Sequence, residues 1–142
     1  MPTFLLDHYS IRTTDIERTV RFYADTLGFV AGPRPAFDFP GAWLYNSNAD
    51  ASAAGNALVH IIGVAPDSAQ GLSDYLGDKQ DAGSGTGVLD HIAFTAHDAP
   101  AMRARLQARA IAYRERMVPG LGLVQIFLQD PNGITLELNY PT

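Results

Sequence analysis

The segment LLDHYSIRTTD at residues 5–15 returns as VLDHIAFTAHD at residues 88–98, without a gap. Leu6, Asp7, His8 and Asp15 fall on Leu89, Asp90, His91 and Asp98. Solenoid repeats have periods of roughly 20–50 residues and come in threes or more, and this one fits neither condition. The repeat predicts two copies of one supersecondary unit related by a pseudo-twofold axis, each placing a histidine at the same point.

The two halves read alike beyond the repeat itself. Residues 5–12 have strand character, and Thr14-Asp15-Ile16-Glu17 sets a Thr three residues ahead of a Glu, the pattern of a capping box. Ile16, Val20, Tyr23 and Leu27 then recur at helical spacing up to Gly28. Short strands are predicted at 29–31, 42–46 and 57–63, separated by Gly, Pro, Asn and Asp clusters. In the second half a strand spans 88–95, Asp98 caps a helix, and Met102, Leu106 and Ala110 share that helix's apolar face. Strands at 112–117, 123–128 and 133–139 follow, the last two joined by the turn Asp130-Pro131-Asn132-Gly133. Each half is therefore β-α-β-β-β, with module 1 at about 4–63 and module 2 at about 88–140 of a single 1–142 domain. Residues 64–87, rich in Gly, Ser, Asp and Ala, form either a plain linker or a loop over a site, with a short helix near Leu72–Leu76.

Composition narrows the function classes. A chain that is 46% hydrophobic and 18% charged can bury a core of its own. Its net charge of -5 argues against a nucleic-acid partner, because its Lys and Arg are scattered except at 103–116, which reads as a solvated face. The absence of cysteine removes disulfides, thiolate metal sites and a cysteine nucleophile, and suits a reducing cytoplasm. No basic segment precedes an apolar leader, and no run reaches the ~18–20 apolar residues of a membrane span. A soluble, cytoplasmic protein with no membrane partner is the expectation.

Side chains alternate across a strand, so each histidine's neighbours report its face. Ser10 and Arg12 share the face of His8, while Tyr9 and Ile11 point away; Ala93 and Thr95 share the face of His91, while Ile92 and Phe94 point away. In the closing strands, Val59 and Ile61 lie opposite His60, and Leu136 and Leu138 lie opposite Glu137, which shares its face with Thr135 and Asn139. Aligning the closing strands puts His60 on Glu137. A single strand histidine is commonly a hydrogen-bonded structural residue. Here three of four histidines and one glutamate occupy the polar faces of the opening and closing strands, which points to a shared metal site; His97, at a helix start, reads as surface. Neutral imidazoles and one carboxylate suit a divalent ion such as Zn, Ni, Mn, Co or Fe(II), leaving positions for water or a chelating substrate. The resulting charge near +1 favours an enolate, catecholate or other oxyanion. Phe37, Trp43, Tyr45 and Tyr113 can line a pocket or serve as ordinary core.

HYSIRTTDIERTVRFYADTLGF, LDHIAFTAHD and IFLQDPNGITLELN, in this order and spacing, resemble the vicinal oxygen chelate superfamily across almost the whole chain. That superfamily groups glyoxalase I, methylmalonyl-CoA epimerase, extradiol dioxygenases, fosfomycin resistance enzymes and the metal-free bleomycin resistance proteins. The resemblance implies an α+β fold of paired βαβββ modules. These would form a curved eight-stranded mixed sheet around a central cleft, with helices on the outer face, often in a homodimer. His8, His60, His91 and Glu137 match its four metal positions, and Arg12 matches an arginine that in glyoxalase I binds a substrate carboxylate. Pairing of Arg12 with a nearby acid is the competing reading.

The expected activity is glyoxalase-like lyase or isomerase chemistry on a small substrate with adjacent oxygens, through an enediolate-type intermediate. Glu137 or His60 would move the proton, with Arg12, Ser10, Thr95, Thr135 and Asn139 toward the substrate. Two departures bear on this. His60 stands where glyoxalases and epimerases usually have Glu or Gln. Phe127 stands where extradiol dioxygenases usually have a tyrosine, and no histidine follows at 118–123. An Fe(II) extradiol dioxygenase with His8, His91 and Glu137 as ligands and His60 as acid or base remains the alternative. A metal-free bleomycin-resistance-type binding protein would lack the four ligand-type residues.

Overall fold

The computed structural model describes residues 6, 8–48, 56–64, 85–87, 89–118 and 122–141. The expected short helix near Leu72–Leu76 lies outside them. The chain divides into two compact units, residues 1–83 and 84–142.

In the first unit β1 (Tyr9–Thr13) leads into α1 (Ile16–Phe22), then β2 (Val30–Gly32), β3 (Gly41–Tyr45) and β4 (Val59–Gly63). In the second, β5 (Ile92–Thr95) leads into α2 (Ala99–Ala108), then β6 (Tyr113–Val118), β7 (Leu123–Gln129) and β8 (Thr135–Pro141). Each unit forms a four-stranded mixed sheet, ordered β1-β4-β3-β2 in one and β5-β8-β7-β6 in the other. The opening and closing strands pair in parallel, and the remaining pairs are antiparallel. The doubled sequence is thus a doubled topology, and the fold is α+β.

Register makes the repeat quantitative. Ser10 pairs with His60 in the first sheet, and Ala93 pairs with Glu137 in the second. Ser10 and Ala93 each lie two residues after the repeated histidine, so His60 stands to His8 as Glu137 stands to His91. One face of each sheet is apolar. Ile11, Leu44, Val59 and Ile61 are buried in the first unit, and Ile126, Leu128, Leu136 and Leu138 in the second. Burying such side chains contributes about 1.5–3 kcal/mol each, enough to fix which face turns outward.

The helices differ in detail from the expectation. Asp15, not Thr14, caps α1: its Oδ1 accepts the Arg18 N–H at 3.0 Å, while Glu17 accepts from Arg21 at 2.6 Å instead of closing a capping box. A carboxylate beside the free N–H groups of a helix start is favoured by the helix dipole over a neutral hydroxyl. Thr13 and the buried Thr19 fasten this turn, with Thr19 Oγ1 donating to the Asp15 carbonyl at 2.9 Å. Beyond Phe22 the chain continues as a π-helical turn, Tyr23–Leu27, ended by Gly28 at φ 77°. In α2, Asp98 accepts from the Ala101 N–H at 3.1 Å as expected. Leu106 is fully buried, but Ala110 lies past the helix, exposed and at φ 54°, and does not join its apolar face.

The turn at Asp130–Gly133 forms as read. Asp130 Oδ1 accepts the N–H groups of Asn132 and Ile134 at 2.8 and 2.9 Å, and Gly133 takes the left-handed conformation. Among the described residues no helix is long and apolar enough to cross a membrane.

Candidate metal centre

In the first unit, His8 sits just before β1 and His60 lies within β4. Their rings stack, with centroids 3.7 Å apart and planes 14° from parallel. Trp43 stacks on the imidazole of His60 at 3.8 Å and 8°. Trp43 pairs with His60 across β3 and β4, which puts both side chains on one face. His60 is therefore buried, 9% exposed, while remaining polar. Phe37 lies 6.3 Å from Trp43 and 5.0 Å from Phe39, which packs with Ile62 and Val64. Ser10 and Arg12 share the His8 face by alternation, Ser10 exposed and Arg12 half-buried. Tyr45 turns into the core, its hydroxyl donating to the Pro33 carbonyl at 2.6 Å.

In the second unit, His91 precedes β5 and Glu137 lies in β8. His91 Nε2 is 2.9 Å from Glu137 Oε2, and His91 Nδ1 is 2.7 Å from Asp90 Oδ2. An imidazole flanked by two carboxylates is best satisfied as an imidazolium that donates from both nitrogens. The His91 pKa is accordingly raised, first by the hydrogen bond to Asp90 and further by the charge of Glu137, while partial burial pulls it down. Glu137 is buried, and its second oxygen accepts from Gln125 Nε2 at 2.7 Å. The same amide donates to Asn139 Oδ1 at 3.0 Å. Thr95 and Thr135 lie on this face, and Phe127 meets His91 edge to face at 6.4 Å. Tyr113 accepts from Gln107 Nε2 at 3.3 Å.

Among the described residues no group of three or more His, Asp or Glu side chains stands together as a metal shell. The candidates stand as two pairs, His8 with His60 and His91 with Glu137. The second pair fits a metal. In an octahedral shell, two donor atoms bonded at ~2.1 Å and meeting at a right angle lie about 3.0 Å apart, and Nε2 and Oε2 are 2.9 Å apart. Asp90 and Gln125 supply the outer hydrogen bonds that orient ligating imidazoles and carboxylates.

Sequence reasoning did not single out Asp90, Gln125 or the stacking role of Trp43. Asp90 belongs to the repeated LDH, which is a signal of sorts. Gln125 is two residues before Phe127 on the strand paired with β8, a relation visible only once register is known.

The sequence profile of the Glyoxalase/Bleomycin resistance protein/Dioxygenase superfamily matches residues 5–138, and the chain belongs to that superfamily. One relative, Glyoxylase I 4 of Arabidopsis thaliana, is 24% identical over 136 residues, covering 94% of this chain and 68% of its own. Solved structures with this fold include the fosfomycin resistance protein FosX of Listeria monocytogenes, 17% identical with TM-score 0.65, covering 100% of this chain and 96% of that one. Another is TnmS3, an antibiotic binding protein from a Streptomyces species, 21% identical with TM-score 0.66, covering 100% and 99%.

Proposed function

We propose that the chain is a metal-dependent enzyme acting on a small substrate through two adjacent oxygens, with His8, His60, His91 and Glu137 as its candidate metal donors. The observation that supports this most directly is the His91–Glu137 pair, spaced as neighbouring ligands and held by Asp90 and Gln125. The register agrees, since the same topology puts His60 beside His8, and one of the two stacked rings must turn for both to bind the same ion, because their in-plane nitrogen lone pairs run side by side. A bound divalent cation would polarise the two oxygens and favour negative charge on them as a neighbouring C–H proton leaves. Zn, Ni, Mn, Co and Fe(II) all accept this donor set.

The chain's own groups then divide the work. Glu137 lies at the candidate centre, and a carboxylate there can take the proton from one carbon and return it to the next. Gln125 holds the other Glu137 oxygen and so restricts the carboxylate's rotation. His60, clamped between His8 and Trp43, is the second candidate for moving a proton. Arg12, Ser10, Thr95, Thr135 and Asn139 would face the substrate. A glyoxalase-like lyase or isomerase acting in the cytoplasm, as a homodimer, is the reading that joins these roles. The fold alone does not choose it, since a fosfomycin resistance protein and an antibiotic binding protein share that fold. The His and Glu set supports a metal-dependent member of the superfamily over a metal-free binding protein.

One observation favours a second reading, an Fe(II) extradiol dioxygenase. The stacking of His60 between two rings suits an acid–base residue beside a His8, His91 and Glu137 triad. Calorimetric titration with Zn²⁺ or Ni²⁺ tests both. One cation per chain is expected, with H8A, H91A and E137Q each binding at least about tenfold more weakly. A wild-type protein that takes up neither these ions nor Fe(II) would sink both readings. Hemithioacetal isomerisation against oxygen uptake with catechols then separates them.

A further inference from the structure

Unit 2 contains a cavity of about 630 Å³ lined in part by Arg114, Phe127, Gln129 and Thr135. This lies within the size range of small-molecule sites, roughly 300–1,000 Å³. Its position is set by register. Arg114 pairs with Phe127, Phe127 with Glu137, and Gln129 with Thr135, so these side chains share the face that carries Glu137. Ile92, the first residue of β5, pairs with Leu136 next to Thr135, so His91, just before it, stands at the same end of the sheet. The cavity therefore occupies the His91 end of the sheet, and Phe127 is wall to both, meeting His91 edge to face.

The guanidinium of Arg114 lies over the Phe127 ring, 4.3 Å from its centroid. This contact positions the cation without neutralising it, because a ring quadrupole carries no net charge. Two of the neighbouring charged groups are engaged elsewhere, and Arg116, on the same face, adds a second positive charge beside Arg114. Arg103 is paired with Glu115 through two hydrogen bonds, at 2.8 and 2.6 Å, and Glu115 points to the opposite face. The buried Asp130 carboxylate lines the cavity too, but its Oδ1 is taken by two N–H groups of its own turn. Arg114 is thus a held guanidinium lining a cavity that shares its Phe127 wall with His91.

We propose that this cavity is the substrate's tail site and that Arg114 determines specificity by binding an anionic group, a carboxylate or its phosphonate or sulfonate equivalent. The substrate class is a small organic anion whose paired oxygens and anionic group lie at opposite ends. The proposal rests on the metal-centre reading for the oxygen end only. Planar, bidentate pairing is what arginine offers a carboxylate.

Two probes test it separately from the metal. Benzoate has the anionic group without adjacent oxygens. In metal-free protein it should shift the backbone resonances of Arg114, Phe127 and Thr135, and R114Q should weaken this binding at least tenfold while R114K retains part of it. With Zn²⁺ bound, 3,4-dihydroxybenzoate should bind at least about tenfold more tightly than catechol, and R114Q should erase that ratio while leaving catechol and Zn²⁺ affinities unchanged. Thermal unfolding of R114Q should match wild type, since the side chain is exposed. Benzoate binding without Zn²⁺ uptake would overturn the metal reading and leave this one standing. Zn²⁺ uptake with no benzoate shifts, or an R114Q ratio equal to wild type, would overturn this one.

Discussion

His91 stands between two carboxylates, those of Asp90 and Glu137. Its pKa is raised by the Asp90 hydrogen bond and by Glu137, so protonation would compete with the proposed metal for Nε2. The sign follows from the direction. A folded-state pKa above the unfolded value of about 6.5 stabilises the metal-free protein fully below that value, and the contribution is lost as pH rises through the folded pKa. In a proton NMR titration, His91 should therefore titrate above the ordinary histidine midpoint, and D90N should bring it down; an identical midpoint in D90N would refute the assignment. The ligand-type residues were legible because alternation exposes a polar residue among apolar neighbours. Asp90 was not, because the sequence predicts strand from residue 88, which would put Asp90 and His91 on opposite faces. Strand β5 begins only at Ile92, so the two side chains are free of that alternation and meet.

At the level of elements, strand order and the Asp98 cap were readable from period and punctuation, whereas close approaches were not. Gly63 ends β4 under α1, and a Cβ there would meet Ile16 Cδ1 at 2.5 Å and the Pro40 carbonyl at 3.0 Å. In the sequence Gly63 looks only like the end of a strand. Its lack of a side chain is what lets α1 seat on the sheet, and G63A should cost about 1–3 kcal/mol through overpacking. Urea denaturation would read this as a lower midpoint at unchanged slope. The Asp15 cap escaped notice for a related reason. Thr14 and Glu17 satisfied a known pattern, but a carboxylate one residue on competes better for the same N–H groups.

For the whole molecule, the repeat means that half of the proposed donors come from each unit. Metal should then stabilise the chain by mass action, by about 2.7 kcal/mol at a free concentration 100 times the dissociation constant. Wild-type protein should melt at higher temperature with added Ni²⁺ or Zn²⁺, and H91A and E137Q should each lose that shift. A shift kept by both variants would remove this pair from the metal. The reading of topology needed only the sequence, because two copies of one pattern constrain each other. The outer partners needed register, which brings together residues 12 positions apart such as Gln125 and Glu137.

Trp43 is the chain's one tryptophan, and it lies flat against the imidazole of His60. Indole emission is sensitive to what touches the ring. The protein therefore carries an optical gauge at its first-unit histidine pair, since any event that turns the His60 ring off the indole should change the ultraviolet emission without any label.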